Sequence, residues 1–198
     1  MGSRRGQQKI KSGFIRLGPI HDYIRAHLEV PRGKQEFRGY SETCERILLE
    51  VPETQGWYFW GKFNNEKRWK HIYIGMAGYK KLKLHSRIKE ELKDERVAFW
   101  VDVWGRRKAA ESHMRNYHGK YQWEMERALE KKGTEYIIWI SDESATPKEI
   151  RNEESILIQR LDPSANKDRR GNREPTKKTG MIEKFLAKEI KRIKDINR

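Results

Sequence analysis

The 198-residue chain has a single cysteine, Cys44, and only six prolines. One thiol excludes an internal disulfide and also a zinc site built on several thiolates. No apolar run approaches the roughly 18–20 residues that a membrane span requires, and the hydrophobic share of 35% is below the charged share of 37%. The start, Met1-Gly2-Ser3-Arg4-Arg5-Gly6, has no apolar core of a secretion signal, and Gly6 stands where a myristoylation motif takes Ser or Thr. The expected address is a reducing cytoplasm. Aromatic residues are not scarce: 7 Trp, 8 Tyr and 6 Phe exclude wholesale disorder.

Acidic residues are in deficit. Lys and Arg total 44 against 29 Asp and Glu, a formal net charge of +15, and such an excess attracts polyanions, nucleic acid above all. The excess is uneven: residues 167–198 hold twelve basic and five acidic residues. A merely soluble basic protein is the plainer alternative.

Along the chain, residues 1–18 predict a mobile basic arm with little periodicity. Residues 19–51 predict two short helices that Pro52 ends. Gly56-Trp57-Tyr58-Phe59-Trp60 and His71-Ile72-Tyr73-Ile74-Gly75 predict a β-hairpin with strands at 56–63 and 69–75 around the polar Asn64–Arg68. Alternation puts Trp57 and Phe59 on one face, with Ile72 and Ile74, and both Tyr58 and Tyr73 on the other. A helix is predicted over 82–95 with the stripe Leu84, Ile88 and Leu92, then a strand at 97–104 and helical pattern over 109–131. Residues 134–141 predict a third hairpin-grade strand, and Thr146-Pro147 opens a helix to Leu161 as N-cap and first-turn proline. Residues 167–179 predict a basic loop, and 181–196 an amphipathic helix that docks on the core or a partner subunit.

Two charged residues stand out. On the helix 147–161, Glu154 falls near the middle of the stripe of Ile150, Leu157, Ile158 and Leu161, whereas Glu153 falls well off it. A carboxylate there is costly to desolvate unless it is paired, protonated or bound to a metal. It is either a salt-bridge partner of an Arg such as Arg87 or Arg151, or a metal ligand at the base of a cleft. Arg87, on the flank of its own helix's stripe, either pairs with Glu90 or Glu91 or holds a phosphate bidentately.

Taken together, these residues resemble the GIY-YIG nuclease superfamily. Gly56-Trp57-Tyr58 is similar to the "GIY" tripeptide with Trp in the middle, and Tyr73-Ile74-Gly75 is a literal "YIG". The segment Leu82–Ile88 resembles the following helix start, which places the family's arginine at Arg87. Glu154 to Asn166 is similar to the pattern E-x-x-L-I-x-x-x-x-P-x-x-N at every fixed position, through Leu157, Ile158 and Pro163. The resemblance covers about residues 56–170, leaving 1–55 as an N-terminal arm with short helices and 171–198 as a basic linker and terminal helix. Three departures stand: Met76 follows the YIG glycine where many relatives have Lys, Glu91 stands where some have His, and residues 97–131 form a long insertion.

The resemblance implies an α+β fold, a small three-stranded antiparallel sheet flanked by helices. It implies metal-dependent hydrolysis of DNA phosphodiesters, with Tyr58, Tyr73, Arg87, Glu154 and Asn166 as the catalytic set. Glu154 is then the ligand of a single Mg²⁺, or Mn²⁺, and no small-molecule cofactor is required. Lys80, Lys81, His85, Arg106, Arg107, Arg169, Arg170 and Arg173 become candidate DNA contacts. The compact unit with short additions looks most like a type II restriction endonuclease, cutting double-stranded DNA as a dimer or higher homo-oligomer. The alternatives are a homing, repair or branched-DNA nuclease of the same superfamily, and a non-catalytic nucleic-acid-binding module.

Overall fold

A computed structural model describes residues 10–26, 34–78, 82–92, 131, 133–166 and 173–197. In chain order these form β1 (Ile10–Arg16), α1 (Gly18–Ala26), α2 (Lys34–Leu48), β2 (Gly56–Phe63), β3 (Trp69–Ala77), the helix α3 over 84–92, β4 (Tyr136–Asp142), α4 (Pro147–Leu161) and α5 (Lys177–Ile196). The fold is α+β, with one antiparallel sheet in the order β1-β4-β2-β3. The sheet therefore has four strands, not the expected three. The fourth is β1, cut from the segment expected to be a mobile arm. It pairs with β4 along its whole length, Ile10 opposite Asp142 and Arg16 opposite Tyr136. Its seven residues gain strand structure from that partner, since side-chain packing across strands decides β structure more than intrinsic preference does.

Both faces of the sheet are buried. Tyr58, Trp60, Ile137 and Trp139 face a core closed by Leu17 and Ile20 from the β1–α1 segment, Tyr40, Cys44 and Leu48 of α2, and Leu84, Ile88 and Leu92 of α3. Trp57, Phe59, Ile74, Ile138 and Ile140 face the opposite core, closed by Ile150, Leu157 and Ile158 of α4 and Ile182, Leu186 and Ile193 of α5. Burying each aliphatic side chain contributes about 1.5–3 kcal/mol, so two full layers of helices explain why the strands read as near-continuous apolar runs.

Alternation holds for Trp57, Phe59 and Ile74 on one face and for both tyrosines on the other. Ile72 departs from it. Trp60 pairs with Tyr73 and Gly61 with His71, so Ile72 is the extra residue of a β-bulge, and the shift turns it into the tyrosine-side core.

Helix α4 begins as its sequence implies. Pro147 sits in the first turn, the Thr146 side chain accepts from Glu149 N, and the Glu149 carboxylate accepts from Thr146 N at 2.7 Å. Asp162 closes it in the left-handed conformation, with φ 45°. Helix α5 starts four residues before the expected Met181, because Thr176 and Thr179 form a second capping box. No described helix is long and apolar enough to cross a membrane.

Candidate active site

Strands β2 and β3 place Tyr58 and Tyr73 on one face, with ring centroids 6.3 Å apart. Tyr58 pairs across the strands with Gly75. A Cβ on Gly75 would meet the Tyr58 ring, 2.6 Å from Cε2 and closer still to Cζ and Oη. The third residue of the YIG tripeptide is thus glycine because the phenol of the other tripeptide occupies the space above it.

Helix α3 brings Arg87 to this phenol. Arg87 Nε donates to Tyr58 Oη at 3.3 Å, and the same guanidinium pairs with Glu90 at 3.1 Å and Glu91 at 2.6 Å. Tyr58 in turn donates to Glu91 Oε1 at 3.3 Å. Glu91, one turn beyond Arg87, is fully buried, and its second oxygen takes the ammonium of Lys131, also fully buried. That ammonium lies 4.4 Å from the centre of the Trp60 ring and 4.5 Å from that of Tyr73. Two cations, one carboxylate and two phenols therefore form one connected group under the β2–β3 hairpin.

The electrostatics follow from that enclosure. Burial pushes the Tyr58 phenol well above its ordinary pKa of 10.0, the Glu91, Tyr73 and Glu154 charges add to the rise, and Arg87 opposes it. Tyr58 keeps its proton at neutral pH and acts as a donor. Burial works against the Arg87 charge, but Tyr58, Glu91 and Tyr73 outweigh it and hold the guanidinium protonated.

On α4 the two glutamates exchange the burial expected of them. Glu153 is the buried one, at 3% exposure, and Glu154 is half-buried. A wheel drawn on α4 alone misses α5, whose first turn covers Glu153: Thr176 Oγ1 and Thr179 Oγ1 donate to its carboxylate at 2.8 and 2.5 Å. Glu154, one residue on, is close enough for its charge to act on the Tyr58 phenol. Helix α4 packs against β3, which carries the glutamate to the edge of the tyrosine pair.

Asn166 is fixed by backbone. Its Oδ1 accepts from Ile74 N at 2.8 Å and its Nδ2 donates to Ile74 O at 2.9 Å. Ser164 N and Ala165 N donate to His71 O and Ile72 O, so the segment after α4 straps the free side of β3. Asn166 locks the central residue of the YIG tripeptide, and through it the approach of α4.

No family model, curated protein or solved structure matches the chain.

The structure brings together Tyr58, Tyr73 and Arg87, with Glu154 near enough for its charge to act on Tyr58 and Asn166 holding β3 at Ile74. It does not bring His85 to them. That imidazole lies between Glu45 at 3.3 Å and Glu53 at 3.1 Å, on the side of α3 that meets α2. Arg173 is exposed and donates to Asn152 Oδ1 at 2.6 Å. Lys80, Lys81, Arg106, Arg107, Arg169 and Arg170 lie outside the described residues, as do the strand and helix expected over 97–130. Two members of the group were not singled out for a role in the site. Glu91 carried a signal, its position four residues after Arg87; Lys131 carried none.

Among the described residues no group of three or more His, Cys, Asp or Glu side chains converges on a point that could hold a metal. A carboxylate-poor site still suits Mg²⁺, which commonly keeps several waters and binds through one or two carboxylates plus substrate phosphates. Glu154, half-buried and near enough to act on the Tyr58 phenol, is the carboxylate that fits that single role.

Proposed function

We propose that the chain is a divalent-metal-dependent endodeoxyribonuclease of the GIY-YIG type that cuts double-stranded DNA at specific sites, as a type II restriction enzyme does. The observation that carries this reading is the contact of Tyr58 with Tyr73 and Arg87, each from a separate element, with Glu154 of a fourth near enough for its charge to act on the Tyr58 phenol. The same four residues are the ones the motif spacing singles out.

A divalent cation on Glu154, Mg²⁺ or Mn²⁺, supplies polarisation of the scissile phosphate and stabilisation of the leaving oxygen. Arg87 neutralises charge on the phosphoryl oxygens by releasing Glu90 to solvent and keeping Glu91 as its anchor. Tyr58, fully buried and giving its hydrogen to Glu91, positions Arg87 rather than the attacking water. That leaves Tyr73, the phenol beside it, to orient the attacking water. Asn166 keeps β3 and the end of α4 in register.

Digestion of a sequenced plasmid with Mg²⁺ and with EDTA, followed by end mapping, tests the reading. Discrete bands that require the metal support site-specific cleavage. A smear or junction-only cutting moves the protein to a repair or branched-DNA role, and intact plasmid under all conditions overturns the nuclease reading.

A further inference from the structure

Helix α5 buries Thr179, Ile182, Leu186, Glu189 and Ile193 against the sheet. At 100° per residue the centre of the opposite side is Lys177, Lys184, Lys188 and Lys191, all within about 60° of one another, and all four are exposed. From Lys177 to Lys191 the stripe covers fifteen residues, fourteen steps of 1.5 Å or about 21 Å. Its small members keep it open: nothing lies within 4 Å of where a Cβ of Gly180 would stand, and Ala187 is exposed.

The acids that could neutralise the stripe are turned elsewhere. Glu183 is held by Arg160 at 2.7 Å. Glu189 is buried, taking Ser12 Oγ at 2.7 Å and Arg192 at 2.6 Å. Asp195 closes the stripe only at its C-terminal end. Among the described residues none of the four lysines shares an ion pair with a carboxylate, and Lys188 makes only a distant approach to the Phe185 ring at 6.0 Å.

Location decides what the stripe serves. Helix α5 lies across β1 and β4 on the α4 side of the sheet, and its lysines point away from the sheet altogether. Tyr58 and Arg87 belong to the other face. The four lysines therefore lie on the opposite side of the sheet from Tyr58 and Arg87. Over 21 Å of helix axis a duplex presents about six phosphates on each strand, one per 3.4 Å, so a straight stripe of four lysines has phosphates to meet along its whole length.

We propose that the outward face of α5 is a second docking surface for double-stranded DNA, binding backbone phosphates of a segment other than the one being cut. This rests on the chain acting on DNA, as proposed above, but not on its cutting it.

The test compares the full-length chain with a Lys184→Gln, Lys188→Gln, Lys191→Gln variant and with the corresponding triple Arg variant. Duplex binding across a salt series gives one readout, and energy transfer between a donor-labelled and an acceptor-labelled short duplex gives the other. The expected result is a salt slope reduced by about 2.7 in the Gln variant, near 0.9 per lost phosphate contact. Duplex bridging is lost in the same variant, both properties are retained with Arg, and the thermal midpoint is unchanged. Cleavage of a short single-site duplex stays at the wild-type rate. An unchanged slope, bridging that survives in the Gln variant, or binding of anionic phospholipid vesicles in place of duplex overturns the proposal. Bridging without any Mg²⁺-dependent cleavage sustains this surface and overturns the nuclease reading instead.

Discussion

The Tyr58 ring passes over the Cα of Gly75, its partner on the neighbouring strand, so closely that no Cβ fits between them. The two tripeptides of the hairpin are therefore one steric unit. Gly75→Ala must displace either the phenol or β3, at about 1–3 kcal/mol of stability, the usual scale of overpacking. Moving a reacting group by as little as 1 Å can cost about a hundredfold in rate. Denaturation midpoints together with turnover on duplex DNA check this; unchanged turnover in a folded Gly75→Ala protein removes Tyr58 from the reaction.

Adjacent glutamates on α4 should separate chemistry from folding. Glu154→Gln is expected to abolish cleavage while leaving duplex affinity within a few-fold of wild type. Glu153→Gln weakens the hydrogen bonds to Thr176 and Thr179, costing about 1–3 kcal/mol of stability while the folded fraction still cuts. Turnover corrected for folded fraction, with unfolding curves for both variants, decides; a fully active Glu154→Gln enzyme ends the metal-ligand assignment.

Lys131 and Glu91 are both fully buried and paired. Removing one partner alone leaves a buried charge poorly compensated, which typically costs about 3–5 kcal/mol, whereas replacing both with apolar groups recovers much of the loss. Lys131→Met is thus expected to be more destabilising than Lys131→Met combined with Glu91→Leu. Urea unfolding of the two singles and the double gives the coupling. The double variant should still lose activity, because Arg87 then keeps only Glu90 and Tyr58 as partners.

His71 supplies the pH prediction. Burial lowers its pKa from 6.5 to about 4, and its Nδ1 accepts from Trp69 Nε1 at 3.2 Å, which requires the neutral ring. The unfolded chain binds this proton more readily, so stability is full above pH 6.5 and falls as pH drops toward 4. The loss over that window is about 3 kcal/mol. His71→Gln is expected to flatten that acid limb in thermal melts at stepped pH. An unaltered limb would assign it to other groups.

Much of the architecture was legible. The strands β2, β3 and β4 announced themselves through aromatic and β-branched runs, and α4 through Thr146, Pro147 and its apolar spacing. What stayed hidden depended on partners distant in sequence. β1 is a strand because β4 lies beside it, and nothing in Ile10–Arg16 alone outweighs its short, mixed composition. The burial of Glu153 depends on two threonines 23 and 26 residues later. Ile72 changed faces through a bulge that alternation cannot foresee. Of the candidate site, Tyr58, Tyr73, Arg87 and Glu154 were singled out by motif, whereas Lys131 was one of many lysines with no local mark of burial.

The strap of Ser164, Ala165 and Asn166 along β3 has a further effect. An outermost strand with bare amides and carbonyls is a template on which another chain can polymerise. Here the outward groups of residues 71, 72 and 74 are already taken by the protein's own backbone and one carboxamide. At those residues the rim offers no free backbone groups on which a further strand could add.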